Sequence, residues 1–159
     1  METKTIKSEG IKFLKDLALA YSRTKYPTLP EYARTIKPYS DRTANGLTKC
    51  ILDWLKFSGH QAERISCTGR YLDRSIVVSD VTGAKRRIGS GQWIPSSGMV
   101  GTADISATIY GKSVKIEVKK NDQQSAKQIL YQDQVTRAGG LYWICRTFDE
   151  FLELYHSMI

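Results

Sequence analysis

The chain has little of what disulfide frameworks and zinc sites require, with only three cysteines and two histidines in 159 residues. Cys50, Cys67 and Cys145 are odd in number and widely spaced, with no CxxC and no His-x-x-x-His, which excludes a zinc module or a disulfide scaffold and points to reduced, buried thiols. His60 and His156 stand apart, without a neighbouring partner that would mark either as a general base or a ligand. There is no apolar run long enough to cross a bilayer, and the basic opening METKTIKSEGIKFLKDLALAYS lacks the unbroken apolar stretch of a signal peptide. A cytoplasmic chain with no membrane partner is therefore expected. The Gly/Ser-rich stretch GSGQWIPSSGMVG has neither the GxxxxGK[ST] nor the GxGxxG order, so a nucleotide cofactor has no support.

Acidic residues are also in the minority. With 24 Lys+Arg against 16 Asp+Glu, the net charge is +8, which favours a polyanionic partner, nucleic acid first and an anionic membrane surface second. A length of 159 residues fits one domain with a substantial core.

Ile11, Leu14, Leu17, Ala18 and Tyr21 recur at helical spacing while Lys4, Lys7, Lys12 and Lys15 take other faces, predicting an amphipathic helix over about residues 5–22. The proline-containing segment that follows, TKYPTLPEYARTIKPYSDRT, reads as an extended arm. These observations divide the chain into a basic N-terminal helix and arm, residues 1–40, and a main domain, residues 41–159. The arm is a candidate clamp on DNA or a dimer contact.

In the main domain, Leu47, Cys50, Ile51, Trp54 and Leu55 form a helical stripe that Gly59 terminates. QAERISCTGRYL reads as a strand turning at Gly69, and SIVVSDVTGAKRRIG as a strand pair bent at Gly83. Arg70, Arg74, Lys85, Arg86 and Arg87 crowd this region, as either a solvated hairpin or a phosphate-contacting loop. Farther on come a helix beginning near Asp122 or Ser125 and ending at Gly139–Gly140, the apolar strand LYWIC, and a last helix opened by the capping box Thr147-x-x-Glu150. The order predicts an α/β (α+β) domain, a central mixed sheet flanked by helices.

The stretch GTADISATIYGKSVKIEVKK carries the chemistry. Its apolar residues alternate on both halves, giving a hairpin with one apolar and one polar face. A two-residue loop at Gly111-Lys112 would set Ile109 against Val114, with Asp104 opposite Lys119 and diagonal to Glu117, roughly 7–8 Å apart at the backbone. Two carboxylates beside one lysine suit a hard dication, Mg²⁺ or Mn²⁺, which keeps open positions for water and a phosphate oxygen. Lys119 would then position the water or offset developing charge. An ordinary exposed hairpin with an Asp–Lys cross-strand pair, contributing at most about 1 kcal/mol, has the same spacing.

Asp104 and, thirteen positions later, Glu117 followed by Val118 and Lys119 resemble the D…(D/E)XK core of the PD-(D/E)XK nuclease superfamily. Ser125-x-x-Gln128, Gly139-Gly140 and the strand Leu141-Tyr-Trp-Ile-Cys145 are similar to its VRR-NUC and Holliday-junction-resolvase-like branches, so that the likeness spans roughly residues 43–151. The resemblance implies a restriction-endonuclease-like αβββαβ core. It further implies that Asp104, Glu117 and the carbonyl of Val118 are metal ligands, that Lys119 is catalytic, and that Gln128 and Gln132 lie near the metal or the DNA. Two departures stand out: Ala103 replaces the usual proline, and Asn45 stands near the start of the first core helix where relatives often carry a glutamate.

The expected function is a Mg²⁺-dependent DNA endonuclease, resolvase-like if the protein is a homodimer. Arg70, Arg74, Lys85, Arg86, Arg87 and Lys120 are the candidate DNA contacts. The alternative is a catalytically inactive DNA-binding module on the same fold. A basic module for RNA or protein is a weaker third reading, because the nine tyrosines form no RNA-binding strand signature.

Overall fold

The computed structural model describes residues 9–66, 69–95 and 98–159, and Lys4, Lys7 and Cys67 lie outside them. In chain order the elements are α1 (Glu9–Lys25), a 3-10 turn (Glu31–Ala33), α2 (Ala44–Phe57), β1 (Gln61–Arg64), β2 (Arg70–Asp73), β3 (Ile76–Ser79), β4 (Lys85–Ile88), β5 (Gly91–Ile94), β6 (Ile105–Ile109), β7 (Lys112–Val118), α3 (Ala126–Arg137), β8 (Leu141–Cys145) and α4 (Phe148–His156). They fall into two compact units, one of residues up to Ile65 together with Gly101–Ile159, the other Ser66–Val100. This division replaces the expected boundary at residue 40. The reason is hydrophobic: Ile11, Leu14 and Ala18 of α1 belong to the same buried cluster as Leu47, Ile51 and Leu55 of α2, so the N-terminal helix is core rather than appendage.

The larger unit is built on a four-stranded mixed sheet in the order β1-β6-β7-β8. The pairs β1/β6 and β6/β7 are antiparallel and β7/β8 is parallel, with α3 making the crossover that a parallel pair requires. Alternation in β6 and β7 sends Ile105, Ala107, Ile109, Val114, Ile116 and Val118 to one face, where they are buried against α1, α2 and α4. Each of the valines and isoleucines contributes on the order of 1.5–3 kcal/mol through burial. Trp143 and Cys145 of β8 join that core, and burial pushes the Cys145 thiol up to about 12 and that of Cys50 to about 11. The opposite, polar face of the sheet meets α3, which has no buried residue of its own.

Thr43 caps α2 by accepting from the Gly46 amide, and Ser125 caps α3 in a full capping box with Gln128. The capping box expected on α4 is half formed. Thr147 accepts from the Glu150 amide, but the Glu150 carboxylate turns back to the Arg146 amide instead.

The hairpin β6/β7 forms as expected but in another register. Its central turn residues are Tyr110 and Gly111, both at positive φ (48° and 77°), the signature of a type I′ turn. Ile109 therefore faces Lys112, and Ile105 faces Ile116. The slip from the expected pairing is two residues, so the apolar and polar faces are preserved while every partner changes. Glu117 comes abreast of Asp104, not diagonal to it.

The smaller unit consists of two two-stranded antiparallel ladders, β2/β5 and β3/β4. The sequence predicts a strand in QAERISCTGRYL that leads into a turn at Gly69, and no strand in the Gly/Ser-rich residues 89–101. The former is split between β1 and β2 in different sheets, and the latter contains β5.

Candidate active site

Asp104 stands just before β6 and is half-buried, and its Oδ2 accepts from the Val118 amide at 2.9 Å. This bond ties the end of β7 to the aspartate. Glu117, on the polar face of β7, is only 2% exposed. Its Oε1 accepts from Gln128 Nε2 at 2.5 Å and lies 3.2 Å from Lys119 Nζ, and its Oε2 is 3.4 Å from the Tyr142 hydroxyl. Lys119 is buried too, and its ammonium also meets Asp122 Oδ2 at 2.9 Å. The hairpin and the turn that follows β7 thus gather three carboxylates around one ammonium.

The electrostatics follow from that imbalance. Burial holds the Glu117 carboxyl above the usual carboxylate range, and the neighbouring Asp104 charge raises it further; Lys119 pulls the other way without cancelling them. Burial draws the Lys119 ammonium down, but its bonds and charge contacts with Asp122 and Glu117 outweigh burial and leave it raised, a protonated donor at neutral pH. Burial and the Glu117 charge raise the Tyr142 phenol as well.

Two of the remaining candidates take unexpected roles. Gln128 sits where the helical spacing placed it, its carbonyl on the Ser125 amide and its NH₂ on Glu117, so the helix cap and the site share one side chain. Gln132 has no direct bond to either carboxylate. It accepts from Gln124 Nε2 at 3.0 Å, and Gln124 in turn hydrogen-bonds Tyr142. Asn45 is exposed at the start of α2, and its Oδ1 accepts from Arg64 Nη2 at 2.8 Å. Arg64 is the β1 residue opposite Ile105, so Asn45 is at the Asp104 end of the sheet, with its one ligating oxygen occupied by a guanidinium.

Lys120 Nζ donates to the carbonyls of Asp41 and Arg146 at 2.6 and 2.5 Å, tying the segment before α2 to the end of β8. Arg87 is paired with Asp73 at 3.0 Å, while the side chains of Arg70, Arg74, Lys85 and Arg86, on the smaller unit, have no ion-pair or hydrogen-bond partner among the described residues.

Tyr142, Gln124, Asp122 and Arg64 were missed from sequence. Only Asp122, three residues from Lys119, carried a local signal; the others depend on strand pairing. Beside Lys119 lies a cleft of about 280 Å³ lined by Gln123, Gln124, Ile129, Ile144 and Arg146.

A hard dication fits the donor set in part. Asp104 Oδ1 has no partner among the described residues and Glu117 Oε2 has only the long contact with Tyr142, so each acid presents an anionic oxygen. No third acidic, histidine or cysteine side chain completes a metal-binding group among the described residues. Two carboxylates suffice for Mg²⁺, which retains waters and binds through one or two acids plus phosphate oxygens. No family model, no curated protein and no solved structure matches this chain.

Proposed function

We propose that the chain is a Mg²⁺- or Mn²⁺-dependent DNA endonuclease with a PD-(D/E)XK, restriction-endonuclease-like core, α2-β1-β6-β7-α3-β8. The observation that carries this reading is the buried Glu117, held abreast of Asp104 and bonded to Lys119 at the end of β7. A surface hairpin gives no reason to bury a carboxylate next to a second one, since the desolvation is uncompensated without a further cation. The net charge of +8 supplies the affinity for a polyanion.

Asp104, Glu117 and the Val118 carbonyl would hold the dication, which when bound polarises a phosphate oxygen and makes a bound water more acidic. Gln128 fixes the Glu117 carboxylate by bonding one oxygen and leaving the other. Because Lys119 is held protonated, its part is to offset negative charge on the attacked phosphate rather than to remove the proton of the water. The cleft beside it offers room for a phosphate, with Arg146 on its rim. A resolvase-like preference for branched DNA would further require a two-fold homodimer.

The test is incubation of labelled linear, single-stranded, flapped and four-way-junction DNA with the protein in Mg²⁺, Mn²⁺ or EDTA, beside Asp104→Asn, Glu117→Gln and Lys119→Ala. We expect cleavage that EDTA stops, and a loss of about 10²–10³-fold in the Lys119 variant. Full activity in a folded Glu117→Gln protein would remove the site assignment.

A second reading, a DNA-binding module without catalysis, draws on the Asn45–Arg64 bond, which occupies the oxygen at the position where relatives of this fold place an acid. DNA binding indifferent to EDTA, with no cleavage of any substrate in either metal, would favour it.

A further inference from the structure

The two ladders of the smaller unit share one register. β2/β5 pairs Arg70 with Ile94 through Asp73 with Gly91, and β3/β4 pairs Ile76 with Ile88 through Ser79 with Lys85. Continuing the first ladder through Arg74 opposite Ser90 and Ser75 opposite Gly89 leads into the second without a slip. Residues 70–79 and 85–94 are therefore one antiparallel ribbon with a short interruption, about 30 Å long at the usual rise per residue. Asp73 pins the interruption by accepting from the Ser75 amide and hydroxyl and by pairing with Arg87.

The ribbon has no buried residue: every position of β3 and β4 is exposed, and Ile76, Val77 and Ile88 are 62%, 63% and 50% exposed. A two-stranded ribbon without a core is marginal by itself in water, so a partner should complete it. The charge says which. Five basic residues face two acidic ones in Ser66–Val100, and both acids are spent internally, Asp73 as above and Asp80 on the Thr82 and Ala84 amides of its own turn. The side chains of Arg70, Arg74, Lys85 and Arg86 are left without ion-pair or hydrogen-bond partners among the described residues.

We propose that this ribbon is an arm that enters the major groove of duplex DNA. That groove is wide enough for a two-stranded antiparallel ribbon, and thymine methyl groups on its floor suit apolar side chains such as Ile76, Val78 and Ile88. The deep, narrow major groove of duplex RNA excludes such an arm. This assignment rests on DNA as the partner proposed above but not on cleavage.

Fluorescence-anisotropy titrations of the full chain in EDTA, from 50 to 200 mM salt, test it with duplex DNA, its single strand and duplex RNA of the same sequence. We expect duplex DNA to bind at least about tenfold tighter than the other two. The quadruple variant Arg70→Gln/Arg74→Gln/Lys85→Gln/Arg86→Gln should lower the slope of log affinity against log salt by about 3–4, with an unchanged melting temperature because all four heads are solvated. Trypsin should cut the ribbon in the free protein and be blocked by duplex DNA. An unchanged slope, equal binding of RNA or single strand, or an arm cut equally with and without DNA overturns the proposal. If the wild type binds duplex DNA through the arm but cleaves nothing in either metal, the nuclease reading fails and the arm stands; if it cleaves and the quadruple variant binds like the wild type, the reverse holds.

Discussion

At the scale of single residues, the molecule places titratable groups where their ordinary chemistry is altered. His60 packs edge-on against the rings of Tyr110 and Tyr155, its Nε2 2.9 Å from the Tyr155 hydroxyl. Burial lowers the His60 pKa. The unfolded chain then takes up the proton more readily than the folded one, so stability is fully present above the ordinary imidazole value of about 6.5 and is lost as pH falls through it toward the folded value. We expect urea midpoints between pH 8 and 5 to fall with pH in the wild type and to fall less in His60→Gln. A slope unchanged by the substitution would assign the acid sensitivity to other groups.

At the scale of elements, the glycines separate backbone freedom from close approach. Gly111 sits at φ 77° in the β6/β7 turn with open space where a Cβ would go, so Gly111→Ala costs only the left-handed strain, about 1 kcal/mol. Gly46 lies in the first turn of α2, where a Cβ would come 2.2 Å from the Ser40 carbonyl oxygen. Gly46→Ala must move the backbone before α2 and should cost clearly more in a urea melt; equal losses would contradict the close packing of that segment.

The same elements show what a sequence can and cannot reveal. Helix stripes and the two faces of the β6/β7 hairpin follow from local periodicity and were legible, while the start of α3 was narrowed only to Asp122 or Ser125, of which Ser125 is the cap. The register was not legible, because Tyr110 adopts a positive φ that its side chain disfavours, and a two-residue slip leaves every apolar residue on its proper face. Asp104, Glu117 and Lys119 were visible because one hairpin holds them all, whereas Tyr142 comes to Glu117 through the parallel pairing of β7 with β8 and Arg64 to Asn45 through β1. Strand β5 was hidden because Gly91 and the surrounding serines mimic a loop, and its partner β2 lies across an intervening ladder.

At the scale of the whole molecule, the N-terminal helix is a structural necessity. Leu14 is fully buried in the common core, so Leu14→Ala should cost about 2–5 kcal/mol, and removal of residues 1–25 should abolish cooperative unfolding. A truncated protein that still melts sharply would contradict a core shared by α1, α2 and α4. No helix among the described residues is long and apolar enough to cross a membrane.

The amide of Ile65 donates to the carbonyl of Asp104 at 2.8 Å, so the chain leaves the four-stranded sheet and re-enters it at adjacent points. Between those points lies a unit of its own, Ser66–Val100, so a shorter, longer or unrelated insert in its place should leave the pairing of the four-stranded sheet and the position of the aspartate unchanged.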